Sequence, residues 1–488
     1  MLHSKGIESI QELKKFFAIP EKKVDYLLDS LKFFDLKCVN KWLDCLKRQG
    51  SSISSILAVL LILPFLNHAT VHALLRSGSK TMANGGKDVY YRTSKRQDID
   101  WRGVLTGFVK RFLTIIRKSG SVLGCGPKCL VVDDSLLQKS GLKGEFVGGL
   151  LNHVTHAYRI GLRLLQLCYY DGKSTIPIDF SIHREKGKVA EKPYGLTKIQ
   201  LKNQHKTKRK INSISWLRAK EVDESKMDIA IKMIKRSLKF LEVDYVLMDS
   251  WFTSKRMVEC VRGAIDSNKK PKAHLIGMMK MGNASFIYNG ELFTNCQSLL
   301  TKLKRTIKIT KCKSMNSHYV IADVAYNGYS VRLFYSRFGQ RGKWHLLLST
   351  DQSLDYEEMM KIYKIRWTIE VYFHESKSLL GLGKCQSTSF EAQIASATLA
   401  MIQYILLTLK KRFDDYETRG AVFRDIGEEM QERKLHVRLW DFFLMTVNMV
   451  LESLDVCIEN IDNYIKKLLR QNNITCMQDL LRAANQRE

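Results

Sequence analysis

The sequence predicts a mixed α/β fold with helical regions at both ends. Three observations carry this: helical periodicity without strands over roughly the first 120 residues, then three strand-like apolar runs in succession, then strands alternating with helix-period segments. With 488 residues, 45% of them hydrophobic and 10% aromatic, there is material for about two to four domains with filled cores. The charge is lopsided, 79 Lys and Arg against 49 Asp and Glu, a net +30 at pH 7. Such a potential attracts polyanions, of which nucleic acid is the commonest large one in a cell.

Residues 1–122 form the helical N-terminal region. Val24, Leu27, Leu28 and Leu31, and again Trp42, Leu43 and Leu46, recur at helical spacing, with Pro20 and Gly50 as punctuation. A polar loop from Ser77 to about Lys95 leads to a helix over Trp101 to Arg117. Residues 123–279 open with the strands CLVVDD, VTHAYRIGLRLLQLCYY and TIPIDFSIH, the last two joined at the hairpin signal Asp171-Gly172, so that the three form a meander. Met227, Ala230, Ile231, Ile234, Leu238 and Leu241 then mark a helix before the strand VDYVLMD, and a helix near Ser254 to Ala264 precedes AHLIGMM. Over 280–350 the short runs SFIYNG, HYVIADVAY, YSVRLFYS and WHLLLS read as a β-rich insertion. Residues 351–412 are helical, and 413–488 are a polar, mostly helical C-terminal region.

The longest apolar run, Ile53 to Leu66, is broken by Ser54, Ser55 and Pro64 and is shorter than the roughly 18 residues of a membrane span, so no transmembrane helix is expected. The first residues lack the apolar core of a signal peptide, and a cytoplasmic, nucleoid-associated location is the expectation. Eleven cysteines, with only Cys125 and Cys129 close together, read as reduced thiols rather than a zinc site.

In so basic a chain the informative residues are acids at the ends of apolar strands, because a buried carboxylate is costly unless a cation neutralises it. LVVDD and YVLMD end this way, each followed by a serine. Adjacent strand residues face opposite sides, so only one of Asp133 and Asp134 can face a given site, and position alone does not choose between them. A turn cap is the structural alternative for either strand-end acid. On a helix, Tyr363, Arg366, Glu370 and Lys377 fall within an arc of about 60° and place a hydroxyl, two cations and a carboxylate on one stripe. Two Asp and one Glu from separate elements supply the oxygen ligands that a pair of Mg²⁺ ions takes, and such a pair serves phosphoryl transfer on nucleic acid. Arg366 and Lys377 could then hold flanking phosphates.

The spacing Tyr363-x2-Arg366-x3-Glu370-x6-Lys377 matches the YREK signature, and with it the chain resembles the DDE transposases of the insertion-sequence-four family, a bacterial mobile-element group. The likeness extends over about Leu130 to Ala400 through the acidic pair before Ser135, HVTHAYRIGLRLLQLCYYDG, MDSWF and the β-rich stretch. It implies an RNase H-like core interrupted by the β insertion, for which the 121 residues between Asp249 and Glu370 leave room. It implies Asp134, the acid just before the serine, as first metal ligand, with Asp249 and Glu370 as the others, two Mg²⁺ ions (Mn²⁺ able to substitute), and Tyr363, Arg366 and Lys377 gripping the end of the element. Trp344 in GKWHLLLST resembles the family aromatic that stacks on a flipped base, with a strand-core role as the alternative.

Residues 184–220 carry twelve Lys or Arg against two Glu, and Lys206, Lys208, Arg209 and Lys210 are its candidate DNA-binding cations. Lys302, Lys304, Arg305, Lys308, Lys311 and Lys313 form a second, weaker cluster. His153 and His156, three apart on a strand, face opposite sides and are not expected to share a metal. The expected activity is a transposase that cuts double-stranded DNA at its element's ends through hairpins and joins 3′-hydroxyls to a target. The N-terminal region is its candidate end reader, and the C-terminal region a candidate for homodimerisation. A metal-dependent nuclease of the same fold, or a non-catalytic DNA-binding descendant, are the alternatives.

Overall fold

A computed structural model describes residues 43–47, 49–66, 68, 70–76, 85–118, 124–152, 157–187, 189–413, 419–421 and 424. The N-terminal helices expected around Val24 to Leu31, His153 and His156, and nearly all of the C-terminal region lie outside them. The chain divides into two compact units, one of residues 1–38, 55–87 and 421–488, the other of 39–54 and 88–420. In the first unit, helix α1 (Ile53–Ile62) crosses in from the second, a 3-10 turn follows over Leu63–Leu66, and α2 spans Val71–Arg76.

The second unit holds the acids and the helical stripe singled out above. Helices α3 (Lys87–Ser94) and α4 (Trp101–Lys118) lead into β1 (Lys128–Gln138), β2 (Gly148–Asn152), β3 (Ala157–Asp171) and β4 (Thr175–His183). Then come α5 (Lys198–Lys202), α6 (Ile214–Lys220), α7 (Lys226–Ser237), β5 (Tyr245–Met248), α8 (Lys255–Arg262) and β6 (His274–Met279). The β-rich stretch gives β7 (Phe286–Tyr288), β8 (Glu291–Phe293), α9 (Cys296–Thr306), β9 (Thr310–Cys312), β10 (Ser317–Tyr326), β11 (Tyr329–Phe338) and β12 (His345–Ser349). The unit ends with α10 (Tyr356–Lys364), a 3-10 turn (Ile365–Trp367), α11 (Thr368–Ser378) and α12 (Phe390–Phe413).

One mixed sheet runs in the order β2-β3-β1-β5-β6-β12-β11-β10-β7-β8, with β4 also on β3 and β9 on β10. The meander forms as expected: β1 is antiparallel to β3 and β3 to β4. Its hairpin turns at Gly172 with φ 92°. Gly124 packs there so closely that a Cβ would lie 2.5 Å from the Gly172 carbonyl carbon, so no larger residue fits. β5 and β6 then add in parallel on the other side of β1. The β-rich stretch is not a separate body, because β12 pairs with β6 and carries its strands outward as an extension of the same sheet.

All nine residues of β4 are buried, as expected of a strand covered on both faces. Helices α4, α7, α11 and α12 pack against it. Its one carboxylate, Asp179, is held by Arg102 of α4 at 2.8 Å and Arg236 of α7 at 2.6 Å, and Arg102 continues to Glu221 at 2.9 Å. Those cations hold the Asp179 carboxyl below its ordinary range against the opposing effect of burial. Helix α12 is long and apolar enough to cross a membrane, but it is mostly buried inside this unit.

The stretch from Ser77 to about Lys95, expected as a polar loop, contains helix α3 (Lys87–Ser94), and α5, α6, α9 and β2 were not foreseen either. Helix α9 carries Cys296, Leu299, Leu300 and Leu303 on one buried face, and the Asn295 side chain caps it by accepting from the Gln297 N–H at 2.7 Å. Strand β2 is short and glycine-led, and it pairs with the start of β3.

Removing one partner of a buried ion network leaves the others uncompensated and costs about 3 kcal/mol or more. Asp179→Ala should therefore lower unfolding free energy by about that amount in urea titration, whereas Asp323→Ala, whose partner Arg332 lies near the surface at 2.8 Å, should cost under about 1 kcal/mol.

Candidate active site

The site begins with strand register. β1 and β5 pair in parallel through Cys129↔Tyr245, Leu130↔Val246, Val131↔Leu247 and Val132↔Met248. The next residue of each strand is Asp133 and Asp249, so their carboxylates leave the sheet on the same face. The charge of Asp249 acts on Asp133, as does burial, and together they push the Asp133 carboxyl up to about 7. Burial is the larger cause.

Asp249 also does what a strand-end acid does in the bland case. Its Oδ1 accepts the backbone N–H groups of Trp251 at 2.9 Å and Phe252 at 3.2 Å, fixing the turn that leads to α8. Among the described residues, the hydrogen bonds to this carboxylate all fall on Oδ1, which leaves Oδ2 to the site.

The helical stripe comes down on this face. Arg366 donates to Asp133 Oδ2 at 3.3 Å and to Glu370 Oε1 at 2.7 Å, so one guanidinium bridges two of the acids. Tyr363 donates its hydroxyl to the Met248 carbonyl at 3.2 Å, the peptide that precedes Asp249, and burial raises its proton affinity so that it stays neutral. Lys377 donates to Ser135 Oγ at 2.7 Å, two residues beyond Asp133 on the same face of β1. Burial, and then the charge of Arg163, lower its pKa below the ordinary lysine value. The four residues thus meet one strand face although a 3-10 turn interrupts the helix between Tyr363 and Glu370.

Asp134 is not brought to this face. Its carboxylate points to the other side of β1, where Lys226 of α7 lies 2.5 Å from Oδ2 and Arg163 of β3 lies 3.5 Å from Oδ1. The alternation of the strand decides this: Val132 pairs with Met248, so Asp133 is the residue level with Asp249.

Trp344 precedes β12, half-buried between Lys304 at 4.9 Å and Arg337 at 5.1 Å. The register Met248↔Gly277↔Leu348 places it at the same end of the sheet as Asp249, but three residues, about 10 Å, farther along the strand direction. Tyr372 on α11 is fully buried and donates to Gln166 Oε1 at 3.3 Å.

The described cations of the basic stretch divide. Lys206, Lys208 and Lys210 are exposed. Arg209 is not available to DNA: it is held between Glu145 at 2.6 Å and Glu391 at 2.7 Å, with Ser215 at 2.9 Å from Nε. The same Glu145 accepts from Thr207 N at 3.0 Å, which ties this segment to the core. An acid distant in sequence cannot be read from a local charge run. The second cluster, from Lys302 to Lys313, is exposed, and Lys302 meets Glu291 at 3.4 Å.

The donor set suits a divalent cation in kind. Asp133 and Asp249 offer hard oxygen ligands, and the Asp133 carboxyl is pushed up to about 7 by burial and then by Asp249 even with Arg366 against it. Among the described residues, no three His, Cys, Asp or Glu form a ready cage. Glu370 is turned to Arg366 and must leave it to become a third ligand.

Asp133 has an ordinary value of 3.8 and a folded value of about 7. Between these the folded protein keeps a proton that the unfolded chain has lost, so this group's contribution to stability falls as pH rises from about 4 to about 7. Asp133→Asn should therefore raise Tm at pH 8 and change it little at pH 5, and millimolar Mg²⁺ at pH 8 should raise the wild-type Tm more than the variant's. Differential scanning calorimetry checks both, and equal effects at the two pH values would contradict the assignment.

No curated protein matches the chain. Among solved structures it is similar to the NurA nuclease from Sulfolobus solfataricus at 10% identity, covering 57% of this chain and 85% of that one with a TM-score of 0.21. That likeness is too low to bear on function. Residues 219–406 match the family described as "Transposase DDE domain". The matched segment contains Asp249 and the whole stripe from Tyr363 to Lys377, and the match supports a DDE transposase.

Proposed function

We propose that the chain is a DNA transposase of the YREK type, with Asp133, Asp249 and Glu370 as its catalytic acids and divalent-ion ligands. The observation that carries this reading is the parallel register that aligns Asp133 with Asp249 beneath the Arg366–Glu370 pair. The matched transposase segment supports it, and so does a mixed sheet whose neighbouring parallel strands carry Asp133 within β1 and Asp249 just after β5, in keeping with the RNase H-like core that the signature implies.

In this reading Asp133 and Asp249 would hold a divalent ion, with Glu370 available as a third ligand if Arg366 turned from it to a DNA phosphate. A bound Mg²⁺ supplies Lewis acidity to the scissile phosphate and lowers the pKa of the attacking water or 3′-hydroxyl. Arg366 and Lys377 orient the strand by charge-assisted hydrogen bonds. Tyr363, neutral and bonded to the Met248 carbonyl, keeps the end of β5 and the stripe in register. Lys206, Lys208 and Lys210 add sequence-independent grip. Hairpin ends, joining to a target and pairing of two protomers complete the reading. A nuclease of the same site without strand transfer is the second reading, favoured if only hydrolysis products form.

Asp133→Asn, Asp249→Asn and Glu370→Gln should each reduce cleavage of an end-bearing duplex by a factor of about 1,000 or more while retaining binding, and Asp134→Asn should keep measurable cleavage. Gel analysis of labelled products decides this; near wild-type cleavage by Asp133→Asn, or its loss in Asp134→Asn alone, would contradict the assignment. Binding should also weaken with salt at a log-log slope of about −0.9 per neutralised phosphate. Lys206→Ala, Lys208→Ala and Lys210→Ala together should flatten that slope by up to about 3, whereas Arg209→Ala should destabilise the fold instead.

A further inference from the structure

Behind α11 the sheet carries a cavity of about 270 Å³ that takes no part in the site above. Tyr170 and Thr175 form its strand wall, and Tyr170 pairs with Cys129, four residues and about 13 Å from Asp133 along β1. Thr368 forms its helix wall, accepting a hydrogen bond from the Thr175 hydroxyl at 2.7 Å. At about 100° per residue, Glu370 and Lys377 lie about 200° and 180° round α11 from Thr368. One helix therefore presents its stripe to the acids and its opposite side to the cavity.

Four cations line this cavity: Lys173 from the β3–β4 hairpin, Lys411 and Arg412 from the end of α12, and Arg419. Among the described residues no Asp or Glu lines it. The nearest acids stand behind the wall, where Asp171 accepts from Arg412, and Glu375 accepts from Arg419 at 3.1 Å and from Tyr404 at 3.0 Å. Arg419 also donates through Nε to Thr408 at 3.0 Å, so its guanidinium is fixed with Nη2 outside these bonds. Lys173 is exposed and has no carboxylate partner among the described residues. Burial, and then Asp171, raise the Tyr170 pKa, so its hydroxyl keeps its proton as a donor. Fixed cations and hydroxyls around a concavity without acids focus a positive potential, which an anion rich in acceptor oxygens offsets.

We propose that this cavity binds a phosphate group, held by Lys173, Arg419 and the hydroxyls of Tyr170 and Thr368, at a site distinct from the acids. It needs neither the acids nor a metal and stands without the transposase reading. A free phosphate compound and a DNA backbone both offer the group. Either occupant bears on α11 from the side opposite Glu370, which gives the site a route to the acids.

Calorimetric titration of the full chain with pyrophosphate, in the absence of divalent metal, tests this. Wild type should bind pyrophosphate at a single site. Lys173→Glu should weaken binding about tenfold or more, and Thr368→Val should weaken it less. Lys239→Glu, the same charge change just beyond α7, should leave it as in wild type. Circular dichroism checks folding, and Lys173→Ala, which only removes an exposed cation, keeps the test open if another variant misfolds. A 30-base-pair duplex separates the two sources. Duplex that displaces pyrophosphate and binds Lys173→Glu more weakly assigns the site to DNA backbone, and duplex that binds alongside pyrophosphate assigns it to a free phosphate compound. Equal pyrophosphate affinity in wild type and Lys173→Glu, or no single-site binding by wild type, would overturn the proposal and leave the transposase reading standing.

Discussion

The proposed site depends on the parallel pairing of β1 with β5. Four apolar residues of each strand lie level, and the fifth on each is an aspartate. Register in a buried sheet is strongly specified, since a slip of one residue would exchange the two faces. Both strands are buried from Leu130 to Val132 and from Val246 to Met248, so the apolar side chains fix where the acids emerge. The charge of Asp249 then acts on Asp133, and the stripe from Tyr363 to Lys377 has a defined face to meet. Arg366 bridges Asp133 and Glu370, and in the proposed reading it is the group that turns to the DNA phosphate.

The two faces of β1 thereby acquire different work. Asp133 and Ser135 meet the helical stripe through Arg366 and Lys377. Asp134 meets Lys226 and Arg163 and, through Lys226, the indole of Trp251. The Asp133 carboxyl is raised by burial and then by another acid, whereas Asp134 stands between two cations. Farther from the site, Arg209 shows the same separation within a charge run, its position being fixed by Glu145 and Glu391 while Lys206, Lys208 and Lys210 stay in water.

Much of this was legible in the sequence where periodicity spans a whole element. Strand β4 and helix α4 begin at the expected residues, and the stripe of four residues meets one face. The resemblance implied Asp134 from the serine that follows it, whereas the proposed reading takes Asp133 from the register: CLVV and YVLM are apolar runs of equal length, and aligning them sets Asp133 against Asp249. Helix α9 was hidden by its β-rich surroundings although Cys296, Leu299, Leu300 and Leu303 carry helical spacing. The ion pairs of Arg209 and the tie between Lys226 and Asp134 join residues far apart in sequence, and no local pattern encodes such partners.

The central claim is that Asp133 and Asp249, with Glu370, surround one cation-binding position. Iron-directed cleavage of the protein measures this most directly: Fe²⁺ replaces Mg²⁺, and ascorbate with peroxide generates hydroxyl radicals that cut backbone near the bound ion. The account predicts fragments ending close to residues 133, 249 and 370 that disappear with excess Mg²⁺ and in Asp133→Asn but persist in Asp134→Asn. Cleavage confined to other segments, or cleavage at 133 and 249 that Asp134→Asn abolishes and Asp133→Asn does not, would contradict it.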